Sequence, residues 1–224
     1  MNISSVQLRK NIHDVIFEWQ KLGLVFDSRN HEIYQKANQL VEVSWGNDGF
    51  VLKNEAFSTI SEYCSLVDNK QYSIMLSDGS LIQISYNLKR NKVVKHRLCW
   101  YPAPVSLDVS ILEESSASDY ILDKMSDASI DEFIIRSPIR FDYDPKEASE
   151  THPESHMHIS NENCRIPVRT PLCLRKFIKF IVSNFYPDIE GIDRLVNTGI
   201  HWPSEDRLTE NQKKNFHINI FEAL

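Results

Sequence analysis

Apolar residues recur along this chain with two periods, and the change from one to the other outlines its layout. Leu8, Ile12, Val15, Ile16, Trp19 and Leu22 follow a helical repeat, which predicts a helix over residues 4–22, started by Ser4 or Ser5 and ended by Gly23. Val41, Val43 and Trp45 alternate with Glu42 and Ser44 as in a short strand, within an otherwise ambiguous stretch from 24 to 50. Asn54 opens a second helical pattern through Phe57, Ile60, Cys64 and Val67. From residue 71 the period drops to two. Tyr72, Ile74 and Leu76 alternate with Ser73 and Met75, and Asp78-Gly79 then supplies a hairpin turn. A strand from Leu81 to Lys89 follows, then a tight turn at Lys89-Arg90-Asn91-Lys92. The next strand, from Val93 to Tyr101, is stopped by Pro102 and Pro104.

Between residues 105 and 136 the pattern breaks. Eight carboxylates stand there against Lys124 and Arg136, which reads as an acidic insert of short helices or a lid between two strands. Alternation resumes at 139–144 and 155–160, separated by a polar loop from Pro145 to Glu154, and residues 165–168 extend the second strand after a turn. Thr170 and Pro171 suit the N-cap and first position of a helix, whose stripe is Leu174, Phe177, Ile178, Ile181 and Phe185. Thr209 with Gln212 fits a capping box for a last short helix. The sum is one α+β domain over 1–224, an antiparallel meander sheet with helices packed on one face. N-terminal helices occupy 1–70, the sheet 71–168 with its insert at 105–136, and C-terminal helices 170–224.

Composition narrows the chemistry. The chain has 224 residues, 42% of them hydrophobic, which suffices for a buried core. Six glycines argue against a Gly-rich phosphate-binding fold, and a net charge of −6 argues against indiscriminate binding to duplex backbone. Cys64, Cys99, Cys164 and Cys173 form no C-x-x-C pair, so a zinc ribbon is not expected and a reducing, cytoplasmic setting is. No run of 18 apolar residues and no apolar leader predict a chain with no membrane partner.

One constellation stands out. In strand 139–144, Arg140, Asp142 and Asp144 share a face; in strand 155–160, His156 and His158 share one. If the strands pair with their apolar sets together, all five fall on a common polar surface. Lys95 and Arg97 join it from the strand before, although His96 breaks the alternation there, and His152 stands in the intervening loop. Three readings fit that surface. In the first, metal-free acid–base chemistry acts on RNA or another phosphodiester. His156 and His158 are the acid and base, Asp142 orients one imidazole, and Arg140 with Arg97 steadies the phosphate, with Lys95, Asp144 and His152 binding substrate. In the second, Asp142, Asp144, His156 and His158 hold Zn²⁺ or Mn²⁺. In the third, the cluster is structural.

Arg140-Phe141-Asp142-Tyr143-Asp144, His152-Pro153-Glu154-Ser155-His156-Met157-His158, Cys164-Arg165-Ile166-Pro167-Val168 and the stretch Phe177 to Tyr186 resemble an uncharacterised bacterial family, a domain of unknown function (number 2290), over residues 138–186. The order Arg-x-Asp, His-Pro, His-x-His also resembles small toxins of toxin–antitoxin pairs. These resemblances imply the setting of a bacterial defence or toxin-type protein that acts with a partner subunit or antitoxin, without supplying an activity. They equally allow a non-catalytic subunit of a multi-protein antiphage assembly.

Overall fold

In the computed structural model, which describes residues 2–46, 59–107 and 117–220, the apolar stripe of the first helix is buried. Helix α1 (Ser5–Lys21) buries Leu8, Ile12, Val15, Ile16 and Trp19. Ser4 and Gln7 cap its start reciprocally, and Gly23 leaves it at φ +69°. Strands β1 (Val25–Ser28), β2 (Glu32–Gln35) and β3 (Leu40–Ser44) occupy the ambiguous stretch. Each is four or five residues long, too short for periodicity alone to have separated them. Helix α2 runs Ile60–Asp68, capped by Thr59; the start expected at Asn54, with Phe57, lies outside the described residues.

Strands β4 (Ile74–Leu76), β5 (Leu81–Lys89) and β6 (Lys92–Tyr101) follow, then helix α3 (Ala117–Asp127) within the acidic insert. Strands β7 (Ile139–Tyr143), β8 (Ser155–Ile159) and β9 (Asn161–Pro167) complete an antiparallel sheet ordered β1-β4-β5-β6-β7-β8-β9, with β3 also pairing β5 and β2 pairing β3. Helices α4 (Leu174–Phe185), α5 (Ile192–Thr198) and α6 (Glu210–Lys214) close the described chain. Helix α4 starts three residues later than Thr170-Pro171 suggested, with Cys173 as its N-cap, because Leu172 and Cys173 are drawn into the core. The capping box of Thr209 and Gln212 forms as expected.

Both predicted tight turns form. Arg90 and Asn91 adopt φ +50° and +61°, the left-handed pair that joins twisted strands with two residues. Gly79 sits at φ +80° in the β4–β5 turn, where an added Cβ would collide with Leu107. Tyr63 Oη donates to the Gly79 carbonyl at 2.8 Å and pins the turn from above. Gly79→Ala is expected to cost about 1–2 kcal/mol, the penalty of left-handed backbone for an L side chain, read as a lower urea midpoint at unchanged slope.

The sheet's faces divide the labour. Ile82, Ile84, Tyr86, Leu98, Trp100, Phe141 and Met157 face α1 and α4 and form the main core. On the opposite face Met75, Leu81, Cys99 and Tyr101 meet Tyr63, Leu66 and Val67 of α2 and Ile121 and Met125 of α3 in a second, smaller core. The expected helical layer is thus present, and the structure adds cover to one end of the other face. Beyond that cover, over β6, β7 and β8, the second face is polar.

Candidate functional site

Three adjacent strands carry the polar patch, and their ladder fixes its geometry. Arg97 pairs with Asp142 across β6 and β7, while Asp142 pairs with His156 and Arg140 with His158 across β7 and β8. Side chains opposite one another on neighbouring strands stand within contact range. A pocket of about 340 Å³ opens over them. Its lining includes Lys95, Arg97, Arg140, Asp142, Asp144, His152, His156 and His158, so every residue expected at the site borders one space.

The register of β6 has one irregularity, N-terminal to His96. A bulge between the pairs Asn87–Lys95 and Leu88–Val93 shifts the alternation of β6. Val93 rather than Val94 is therefore the buried valine, while from Lys95 onward plain alternation holds, so that Lys95 and Arg97 keep the polar face and His96 shares the apolar one with Leu98 and Trp100. There its Nε2 accepts from the Leu172 amide at 3.0 Å, and burial lowers its pKa to about 4.

At the floor of the pocket the groups converge closely. His156 Nε2 and His158 Nε2 are 2.9 Å apart, and His158 Nε2 is 3.4 Å from Asp142 Oδ2. His156 Nδ1 lies 2.8 Å from the Pro153 carbonyl. A carbonyl only accepts, so Nδ1 carries the proton and the lone pair of Nε2 points at the cluster. Burial above all, with His158 beside it, pushes His156 down to about 4 and keeps it neutral. Burial alone would raise Asp142, but Arg140, His158 and Arg97 outweigh it and hold the carboxyl well below its usual range. Arg140 Nε is 3.0 Å from Asp142 Oδ2, and Arg97 Nε is 3.6 Å from Oδ1.

The remaining expected residues ring this centre. Asp144 pairs with Lys95 at 2.7 Å and so turns from the imidazoles; the convergent donor set is Asp142, His156 and His158 without it. His152 is brought back by backbone bonds between Ser149 and His152, which set its ring 4.7 Å from that of His156. Tyr143, Glu147 and Arg165 also line the pocket and were not expected there. Arg165 had a legible signal, since it stands on the strand beside β8. Glu147 had none, because its place depends on the path of the loop from 145 to 154.

The family model for an uncharacterized conserved protein, DUF2290, matches residues 25–220. The chain belongs to this family. The match extends far beyond the 138–186 stretch that first suggested it and takes in the sheet and the pocket-lining residues. No curated protein and no solved structure matches the chain. For this DUF2290 protein, the site geometry is therefore the ground for a functional reading. Among the described residues no helix is long and apolar enough to cross a membrane.

Proposed function

We propose that this pocket binds a phosphodiester of a single-stranded RNA and is the site of its cleavage. One observation carries the reading. Lys95, Arg97, Arg140 and Arg165 border the same space as a convergent imidazole–carboxylate centre, on a protein that is acidic overall. Cationic side chains position a phosphate, and preorganised charge around the reacting phosphorus stabilises its transition state.

The geometry refines how the histidines take part. In-line displacement places the attacking and leaving oxygens on opposite sides of phosphorus. A general acid and a general base must stand on those two sides. Two Nε2 atoms at 2.9 Å admit no substrate atom between them. His156 and His158 therefore work as one centre beneath the phosphate, with Asp142 fixed beside them by Arg140, and Arg97 and Arg165 at the wall hold the substrate. The setting we propose is a defence or toxin-type protein working with a partner subunit, as the motif order Arg-x-Asp, His-Pro, His-x-His suggests.

A second reading has its own support. Arg140, Asp142, His156 and His158 are each less than a tenth exposed. They could cement the β7–β8 hairpin of a non-catalytic subunit in a defence assembly. The readings separate on a labelled oligoribonucleotide. Arg97→Ala and Arg165→Ala should each weaken its binding about tenfold, the loss of a charge-assisted bond of ~1.5 kcal/mol, and lower the salt slope by about one. Wild-type protein that neither binds nor cuts the oligonucleotide at low salt defeats the phosphodiester reading. Loss of cutting in His156→Ala with a preserved melt defeats the structural one.

A further inference from the structure

We infer that Asp142, His156 and His158 form a binding site for a divalent transition-metal ion, Zn²⁺ or Mn²⁺. The inference deepens the phosphodiester reading and rests on it for the ion's role, though not for its binding.

One donor atom from each of the three residues lies within 4.8 Å of the others, and all three residues are buried. Ligand atoms bound at ~2.1 Å in tetrahedral array stand ~3.4 Å apart. The 3.4 Å from His158 Nε2 to Asp142 Oδ2 matches that spacing, and the 2.9 Å between the imidazole nitrogens has to open by only about 0.5 Å to admit an ion. The outer contact of His156 also fits. Metal-bound histidine characteristically donates its other ring N–H to a carbonyl or carboxylate, which fixes the tautomer and aims the lone pair. His156 does this through Nδ1 to Pro153. Arg140 Nε stands 3.0 Å from Asp142 Oδ2 and Arg97 Nε 3.6 Å from Oδ1, which is buried without a hydrogen bond of its own.

An imidazole–imidazole hydrogen bond is the competing account of the 2.9 Å approach. It uses one proton between the nitrogens and leaves Asp142 Oδ1 with only the 3.6 Å approach of Arg97 Nε, too long for a hydrogen bond in a buried site. An ion takes both lone pairs and the carboxylate together. Asp144 stays outside the set because Lys95 holds it.

Charge connects the ion to the substrate. Two neutral imidazoles and one carboxylate do not neutralise a dication, and Arg140 and Arg97 add positive charge beside it. The balance favours an anionic ligand at the positions that three protein donors leave open toward the pocket. A phosphoryl oxygen meets that need, and the ion would polarise it as a Lewis acid.

The test uses the full chain, stripped with EDTA, then given Zn²⁺ alone and desalted. Retention of about one equivalent is expected, as is a visible absorption band of tetrahedral type with Co²⁺ in its place. His158→Gln should weaken Zn²⁺ binding by at least about 100-fold, whereas His217→Ala, at a half-buried histidine that does not line the pocket, should leave it unchanged. Retention below about a tenth of an equivalent by wild-type protein overturns the site whatever the variants do. Equal affinity in wild type and folded His158→Gln overturns it too. RNA binding is measured separately in EDTA. Failed metal uptake with intact RNA binding rejects the ion alone; metal uptake with no RNA binding rejects the substrate class alone.

Discussion

Asp142→Ala is expected to lower the unfolding free energy by about 3–5 kcal/mol, the range for removing one partner of a buried ion pair. The carboxylate is only 6% exposed and stands 3.0 Å from Arg140 Nε, which is itself 7% exposed. Removing it takes away the charge that Arg140, Arg97 and His158 all face, and water cannot readily replace it. Asp144→Ala is the internal comparison. Lys95 is more than a third exposed, so that pair is screened and its loss should cost no more than about 1 kcal/mol. Urea unfolding at neutral pH measures both, as a shift in midpoint at constant slope. Equal, small losses for the two variants would show that Asp142 is solvated in solution.

Acidification is expected to destabilise the protein steeply between pH 6.5 and 4. His31 and His96 are fully buried, and desolvation lowers each from 6.5 to about 4. In the unfolded chain both take up a proton near pH 6.5, whereas the folded chain resists until about pH 4. The unfolded state therefore binds more protons across that interval, and stability falls as pH falls. The contribution is complete above the unfolded value and disappears as pH drops toward the folded one. Each imidazole contributes on the order of 3 kcal/mol. Two together rival the whole stability of an ordinary domain, about 5–15 kcal/mol. The reason lies in their bonds. His96 Nε2 must accept from the Leu172 amide, and a protonated ring cannot. His31 packs against Ile84 O at 3.2 Å and Ser73 Oγ at 3.1 Å, and its own amide donates to His13. Asp142 does not confuse the measurement, because its depressed pKa matters only as pH falls below the ordinary carboxylate range. Urea midpoints from pH 7 to 4 test this, and a flat profile would contradict it.

Much of this architecture is visible in residue order because its cues are local. Alternation from Leu81 to Tyr101 and across 139–144 and 155–160 specifies strands, Asp78-Gly79 and Arg90-Asn91 specify turns, and burial of one face specifies which residues share a side. That reasoning alone gathers Arg140, Asp142, His156 and His158. What escaped it depends on non-local facts. Strands β1 and β2 are stabilised by partners more than by their own pattern. The second core at Tyr63, Tyr101 and Ile121 arises only when α2 and α3 fold over the sheet. Asp144 alternates correctly with Asp142 but is taken by Lys95, a competition that alternation does not rank. The β6 bulge adds one residue, so alternation read back from Leu98 picks Val94 where Val93 is the valine buried.

The placement of the reactive groups also bears on how a family of such proteins can diversify. Arg97, Arg140, Asp142, His156 and His158 ride on a hydrogen-bonded lattice of three strands, where a shift of one residue would bury the wrong side chains. Glu147 and His152 hang from a loop whose length the lattice does not constrain. Insertions in that loop can reshape the rim and change what enters, while the floor keeps its spacing. A scaffold built this way lets recognition drift without disturbing the centre that acts.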